Sequence, residues 1–307
     1  MKNKDLLAIL FALAAVFCWS LSFVWFKIAF LAYKPITVVI FRLAISSALI
    51  ILMALSLKKL QKVKKEDYKL FFFMAFFEPF LYFLGESYGL KYVSSTVAAV
   101  IVATIPLFTP IATWIFYKEK IRVMTVVGII FSFAGVGLVV TNGQFGFDAS
   151  PLGVGLEFMA VIASISFALI LKQLADKYNT LTIIAYQNII GTLLFLPIWL
   201  TIDFQDFLNT PFHAQAFRAI VLLAIFSSTL AFVFFTKGLR QLGVTRANTF
   251  VNLVPVFVAV MAYFILKDEL GFHKIVGIIV VVTGLFLSQI KKRDTNGNKK
   301  AVEIHQK

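Results

Sequence analysis

The chain has 307 residues, of which 60% are hydrophobic and only 14% charged, with a mean hydropathy of +0.91 and a net charge of +14. Soluble domains are usually about one quarter charged, so this composition excludes an ordinary water-soluble globule and points to the lipid bilayer. The lone cysteine, Cys18, rules out an intramolecular disulfide. With three scattered histidines (His213, His273 and His305), it leaves no set of residues for zinc or redox chemistry. No metal and no cofactor are expected.

The N-terminal MKNKDLL opens an apolar run too long for a signal-peptide core, with no small-x-small cleavage site. Phe17 before Cys18 also argues against lipoprotein processing. The run therefore reads as a retained first helix. A helix needs about 20 apolar residues to cross a bilayer. Ten such runs follow one another, at 6–31, 36–57, 69–90, 93–117, 122–141, 152–173, 179–201, 216–238, 245–266 and 273–290. The loops between them leave no room for a soluble domain. The polar end, 291–307, has the composition of a disordered tail.

Lysine and arginine set the expected orientation, because basic residues gather in cytoplasmic loops. With both ends in the cytoplasm, cytoplasmic segments hold 22 basic residues, including KKLQKVKK at 58–65. Segments on the other side hold five: Lys34, Lys91, Arg218, Lys267 and Lys274. The positive charge is thereby explained by topology and attraction to anionic lipid, with no need for nucleic acid.

One stretch of sequence occurs twice. Residues 89–138 and 238–287 align without a gap at an offset of 149, which superimposes Gly89 on Gly238, Pro106 on Pro255, Lys118 on Lys267, Gly128 on Gly277 and Gly135 on Gly284. A fixed internal period marks a duplicated unit. Five helices per unit is an odd number, so the second copy is expected upside down. The charges agree: Lys118, Lys120 and Arg122 face a counterpart that reads Lys267, Asp268, Glu269. The expected architecture is an all-α membrane protein of ten helices in two inverted five-helix repeats, 1–145 and 146–290. Transporters use that plan for alternating access.

Particular residues carry a family resemblance. They are WSLSFVWFK (19–27), FRLA (41–44), YGLKYVSSTVAAVIVATIPLFTPIATWIFYKEKI (88–121), GIIFSFAGVGLVV (128–140) and their second-copy equivalents. In these the chain resembles the EamA family of the drug/metabolite transporter superfamily. The resemblance implies a ten-helix permease for small organic metabolites such as amino acids, amphipathic solutes or drugs, commonly an exporter. Ser20 stands where the family often has glycine, and the second copy's first helix, IASISFALILK (162–172), lacks the tryptophan.

Candidate pathway residues follow from polar groups inside apolar runs, which are costly there and mark function by default. On the third run, Glu78, Tyr82 and Glu86 fall four residues apart on one helical face. Pro79 lacks an N–H and frees a carbonyl near Ala75. The offset maps Glu78 onto Ser227 and Glu86 onto Phe235, so the scaffold does not require acids there. Arg42 on the second run has three readings: a pair with Glu86, a contact to a substrate carboxylate, or snorkelling. Snorkelling is also the reading for Lys27, and Glu157 is ambiguous. Trp19, Ser22 and Tyr82 suit an aromatic cavity wall, with core packing as the plainer alternative. Gln187, Asn188, Asn248 and Asn252 are amides that need partners, and Asn252 is preferred as a cavity group, its counterpart being Ala103. Pro106 and Pro255 read as hinges, whereas Gly128, Gly135, Gly277 and Gly284 read as close-packing positions.

No Walker A sequence is present, so this chain is not expected to hydrolyse ATP. Transport driven by proton exchange through Glu78 or Glu86 and uncoupled transport both stand as readings. An intramembrane enzyme or a membrane sensor is the weaker alternative, for want of a polar catalytic set or an output domain. Short loops and lysine-rich segments suggest a bacterial inner membrane.

Overall fold

The computed structural model describes residues 3–118, 123–141, 149–175, 177–242 and 250–288. The tail 291–307, Lys120, Arg122, Arg246, Asn248 and the 145/146 repeat boundary lie outside them. The described residues are helical, with no β-strand. In chain order the helices are α1 (Asn3–Ala29), α2 (Pro35–Ser56), α3 (Tyr68–Ala75), α4 (Tyr82–Tyr92), α5 (Ser95–Val102), α6 (Ile105–Tyr117), α7 (Val123–Val140), α8 (Pro151–Ala175), α9 (Thr180–Ile202), α10 (Phe204–Asn209), α11 (Ala214–Leu222), α12 (Ala231–Leu242), α13 (Val254–Met261) and α14 (Phe272–Ser288). Wide-turn π segments join α3 to α4 (Phe76–Leu81), join α11 to α12 (Leu223–Leu230) and extend α13 (Ala262–Leu266).

Among the described residues, eight helical stretches are long and apolar enough to cross a bilayer, and two shorter apolar ones, Val254–Leu266 and Phe272–Ser288, accompany them. Exposed Phe72, Phe116, Phe133, Phe264 and Phe286 suit contact with lipid tails.

Several runs that read as unbroken helices are interrupted. The third breaks at Glu78, whose φ/ψ of −141°/115° is extended, and the Glu78–Pro79 peptide is cis. Pro79 cannot donate to the helical ladder. Its ring packs against Gly191 of α9, where a Cβ would lie 2.2 Å from the proline Cγ. The fourth run stops at Ala103–Thr104, and the ninth at Asn252–Leu253. Pro106 and Pro255 sit in the first turn of the helix that restarts after each stop, where a missing N–H costs nothing.

Positions related by the 149-residue offset share geometry repeatedly. The π segment of 76–81 corresponds to part of 223–230. Lys118 and Lys267 both end their helices with positive φ, 57° and 60°. α7 and α14 cross at a seam of small residues. A Cβ on Gly128 would meet the Gly284 carbonyl at 2.4 Å, and one on Gly135 would meet the Gly277 carbonyl at 2.7 Å. Pairing rises along one helix as it falls along the other, so the two run antiparallel. Between these pairs Ser132 donates to the Val281 carbonyl at 3.2 Å, and these two residues are themselves 149 apart.

Away from the seam, the segment after α2 docks on the turn between α8 and α9. The Tyr178 hydroxyl donates to Asp67 at 2.8 Å, and Asn179 donates to the Lys59 carbonyl at 2.6 Å.

Candidate functional site

An arginine within an apolar helix needs acceptors or aromatic faces to offset its lost hydration. Arg42 of α2 is 3% exposed. Its Nε donates to Ser228 Oγ at 2.7 Å, and its guanidinium lies 4.3 Å from the Phe83 ring centre and 5.1 Å from that of Phe26. Nη1 has no hydrogen-bond partner among the described residues. One turn along α2, Ser46 shares a 3.1 Å hydrogen bond with Thr229 and accepts one from Asn188 Nδ2 at 2.9 Å. These bonds tie α2, α9 and the wide-turn segment 223–230 together around the arginine.

Opposite lies the acidic part. Tyr82 and Glu86 stand one turn apart on α4, and the tyrosine hydroxyl donates to Glu86 Oε1 at 3.0 Å. Glu86 is 3% exposed, and its Oε2 has no partner among the described residues. The single helical face expected for Glu78, Tyr82 and Glu86 holds only for the last two. The extended backbone at Glu78 breaks the helical phase, so its carboxylate takes another direction and accepts from Ser164 of α8 at 3.0 Å. Arg42 remains near enough to interact through space with Glu86, Tyr82 and Glu78.

The Arg42–Glu86 ion pair, one of three readings from sequence, is not formed. Ion pairs do join Lys34 with Asp206 and Lys177 with Asp67. Arg42 turns to Ser228 and two aromatic faces, while Glu86 turns to Tyr82. The Lys27 Nζ donates to the Val93 carbonyl, in the turn between α4 and α5, at 2.7 Å.

The other candidates stand apart from this group. Trp19 packs edge-on to Phe232 and tilted to Phe235, with ring centres 5.4 and 5.0 Å away. The Ser22 hydroxyl donates to the Trp19 carbonyl of its own helix at 2.6 Å. Gln187 is buried beside Asn188 on α9. Asn252 is fully buried where the chain stops before Pro255, and neither atom of its amide has a partner among the described residues.

Sequence reasoning missed Ser46, Ser164, Ser228 and Thr229 and left Glu157 undecided. The serines and threonines gave no usable signal, since a helical hydroxyl commonly bonds its own backbone. Glu157 had one: an acid in an apolar run whose offset counterpart is Ala8.

Comparison with known proteins settles the family. The sequence model of the EamA-like transporter family matches residues 6–141 and again 152–289. This chain belongs to the EamA-like transporter family. An uncharacterized transporter of Archaeoglobus fulgidus is 26% identical over 276 residues, covering 89% of this chain and 94% of its own length. The uncharacterized transporter YetK of Bacillus subtilis is 26% identical over 266 residues, covering 85% of this chain and 80% of its own. A protein of known crystal structure, 15% identical, superimposes with a TM-score of 0.66 over 92% of this chain and 98% of its own, a likeness of fold. The EamA-like chain is thus an integral membrane protein of a transporter family.

Proposed function

We propose that this EamA-like protein is a secondary transporter that exports small solutes bearing both charges, amino acids foremost, from a bacterial cytoplasm. It works by alternating access between two inverted five-helix halves, with both chain ends cytoplasmic. The observation that carries the substrate class is that Arg42 Nη1 and Glu86 Oε2, both buried and within through-space reach of each other, have no hydrogen-bond partner among the described residues. A substrate carboxylate satisfies the first, because charged bidentate contacts suit guanidinium. A substrate ammonium satisfies the second. The rings of Phe26, Phe83 and Tyr82 supply apolar walls.

The reciprocal glycine contacts of α7 and α14 support the inverted arrangement, since the 149-residue offset turns the Gly128–Gly284 contact into the Gly277–Gly135 contact. The break at Glu78 beside a charged group is the kind of feature that builds midplane sites in transporters.

Glu78 and Glu86 are the proton-exchanging groups in this reading. One charge crossing 100 mV supplies about 2.3 kcal/mol, enough for about fiftyfold accumulation. The test is flux of labelled amino acids in proteoliposomes with and without a pH gradient. The expected outcome is gradient-stimulated flux, lost in Glu78→Gln or Glu86→Gln, and at least tenfold weaker uptake in Arg42→Ala. Equal rates with and without the gradient, together with an unaffected Glu78→Gln, defeat the coupling.

A further inference from the structure

We propose that Glu157 is a second proton-exchange site, passing a proton between Glu86 and the solvent beside the loop that holds Asp268. The inference rests on the proton-coupled reading above and extends it to a residue other than Arg42, Glu78 and Glu86.

Glu157 lies on α8 with no exposed surface, and neither carboxyl oxygen has a hydrogen-bond partner among the described residues. An ionised carboxylate left in that state costs several kcal/mol. A proton or a cation removes the cost. The structure also makes room for this group. A Cβ on Gly89 of α4 would lie 2.5 Å from Glu157 Oε1, while Gly85, one turn earlier, admits the Leu156 carbonyl. Glu86 falls between the two glycines and three residues before Gly89. Side chains at that spacing are neighbours on a helix surface, their Cβ atoms about 5–6 Å apart.

The other half of the protein shows that the scaffold does not need the acid. Gly238, the counterpart of Gly89, faces Ala8, the counterpart of Glu157, and a Cβ there would lie 3.1 Å from the Ala8 carbonyl. Alanine serves the same close approach between α1 and α12, so the carboxyl at 157 is an addition to the scaffold.

Charged neighbours on the packed elements place Glu157 in a row. α4 presents Glu86 and Tyr82, both close enough to interact through space with Glu157, while Glu78 is taken up by Ser164 further along α8 and α5 presents no ionisable group. From α1 comes Lys27, close enough to interact through space with both Glu157 and Asp268. Its ammonium is anchored on the Val93 carbonyl, so it lies within reach of Glu157 without being paired to it. Asp268 in turn has a partnerless Oδ2 among the described residues. In the first step the Glu86 O–H bond breaks and a Glu157 O–H bond forms. The Glu86 carboxylate left behind accepts from the Tyr82 hydroxyl and is stabilised through space by Arg42. In the second step the Glu157 O–H bond breaks and water near Asp268 takes the proton. The carboxylate then takes the Lys27 ammonium as counter-ion.

Infrared difference spectra between alkaline and acid buffer, taken on the full chain in liposomes, test this without knowledge of the substrate. The expected result is a carbonyl stretch from a protonated carboxyl without hydrogen bonds that titrates, is absent in Glu157→Gln, persists in Glu78→Gln and shifts its midpoint in Glu86→Gln. Gly89→Ala keeps the acid but displaces it, and is expected to move the same band. Matching carboxyl bands in wild type and Glu157→Gln, or a Glu157 band that ignores pH while the protein stays folded, overturn the inference. A silent Glu157 beside pH-driven flux overturns this inference alone. A titrating Glu157 in a protein whose flux ignores the gradient overturns the coupling reading instead.

Discussion

Arg42 shows how a charge is kept inside an apolar helix without an ionic partner. Its Nε bond to Ser228 and its stacking on Phe83 each offset part of the desolvation. Ser228→Ala leaves a charged donor unpaired and is expected to cost about 1–3 kcal/mol, read as a fall in melting temperature in detergent. Arg42→Lys keeps the charge but loses the planar stacking and the fixed Nε donor, for about 2 kcal/mol. The conservative change is therefore expected to behave much like Arg42→Ala in the melting assay. Arg42, Glu78 and Glu86 were legible in the sequence as candidates, because a charge in an apolar run is conspicuous. Their partners were not. Ser228 lies 186 residues from Arg42 and Ser164 lies 86 from Glu78, and helical periodicity carries no information about contacts at such separations.

At the scale of elements, hydropathy located the helices but not their interruptions. Pro79 announced the break in the third run, whereas the stops at Ala103–Thr104 and Asn252–Leu253 precede their prolines, and of these four residues only Asn252 carries a marked turn tendency of its own. Gly191 carried no sequence signal, since its reason is the Pro79 ring from another helix. Gly191→Ala is expected to displace that ring and destabilise the broken segment, measurable as a lower melting temperature and faster proteolysis near Glu78. The glycine seam makes a sharper claim. Gly128→Leu or Gly135→Leu forces α7 off α14 and is expected to cost about 1–3 kcal/mol or more, while the same change at Gly137, where a Cβ meets nothing within 4 Å, is expected to be silent. At the lysine-rich end, Lys177 donates to Asp67 at 2.6 Å, and that bond raises the lysine above its ordinary value. A raised lysine contributes stability that is complete below its ordinary value near ~10.4 and is lost as pH climbs through the higher folded value. Lys177→Gln is therefore expected to melt below wild type at neutral pH, with the two curves converging in strongly alkaline buffer.

Across the whole molecule, the duplication and the charge bias are both properties of the sequence, and together they forecast an up-and-down pair of halves before any coordinates. Reporter fusions after residues 60 and 290 are expected on the same side of the membrane as the N-terminus, and fusions after 33 and 270 on the other. On the proposed alternating-access reading, the seam between α7 and α14 has a consequence of its own. Ser132 touches Val281, its own counterpart. When two matched halves trade shapes, a contact between a residue and its duplicate is returned to itself, like the pin of a pair of scissors. A disulfide from Ser132→Cys to Val281→Cys, in a Cys18→Ser background, should therefore leave turnover running, while a staple across α4 and α8 should stop it.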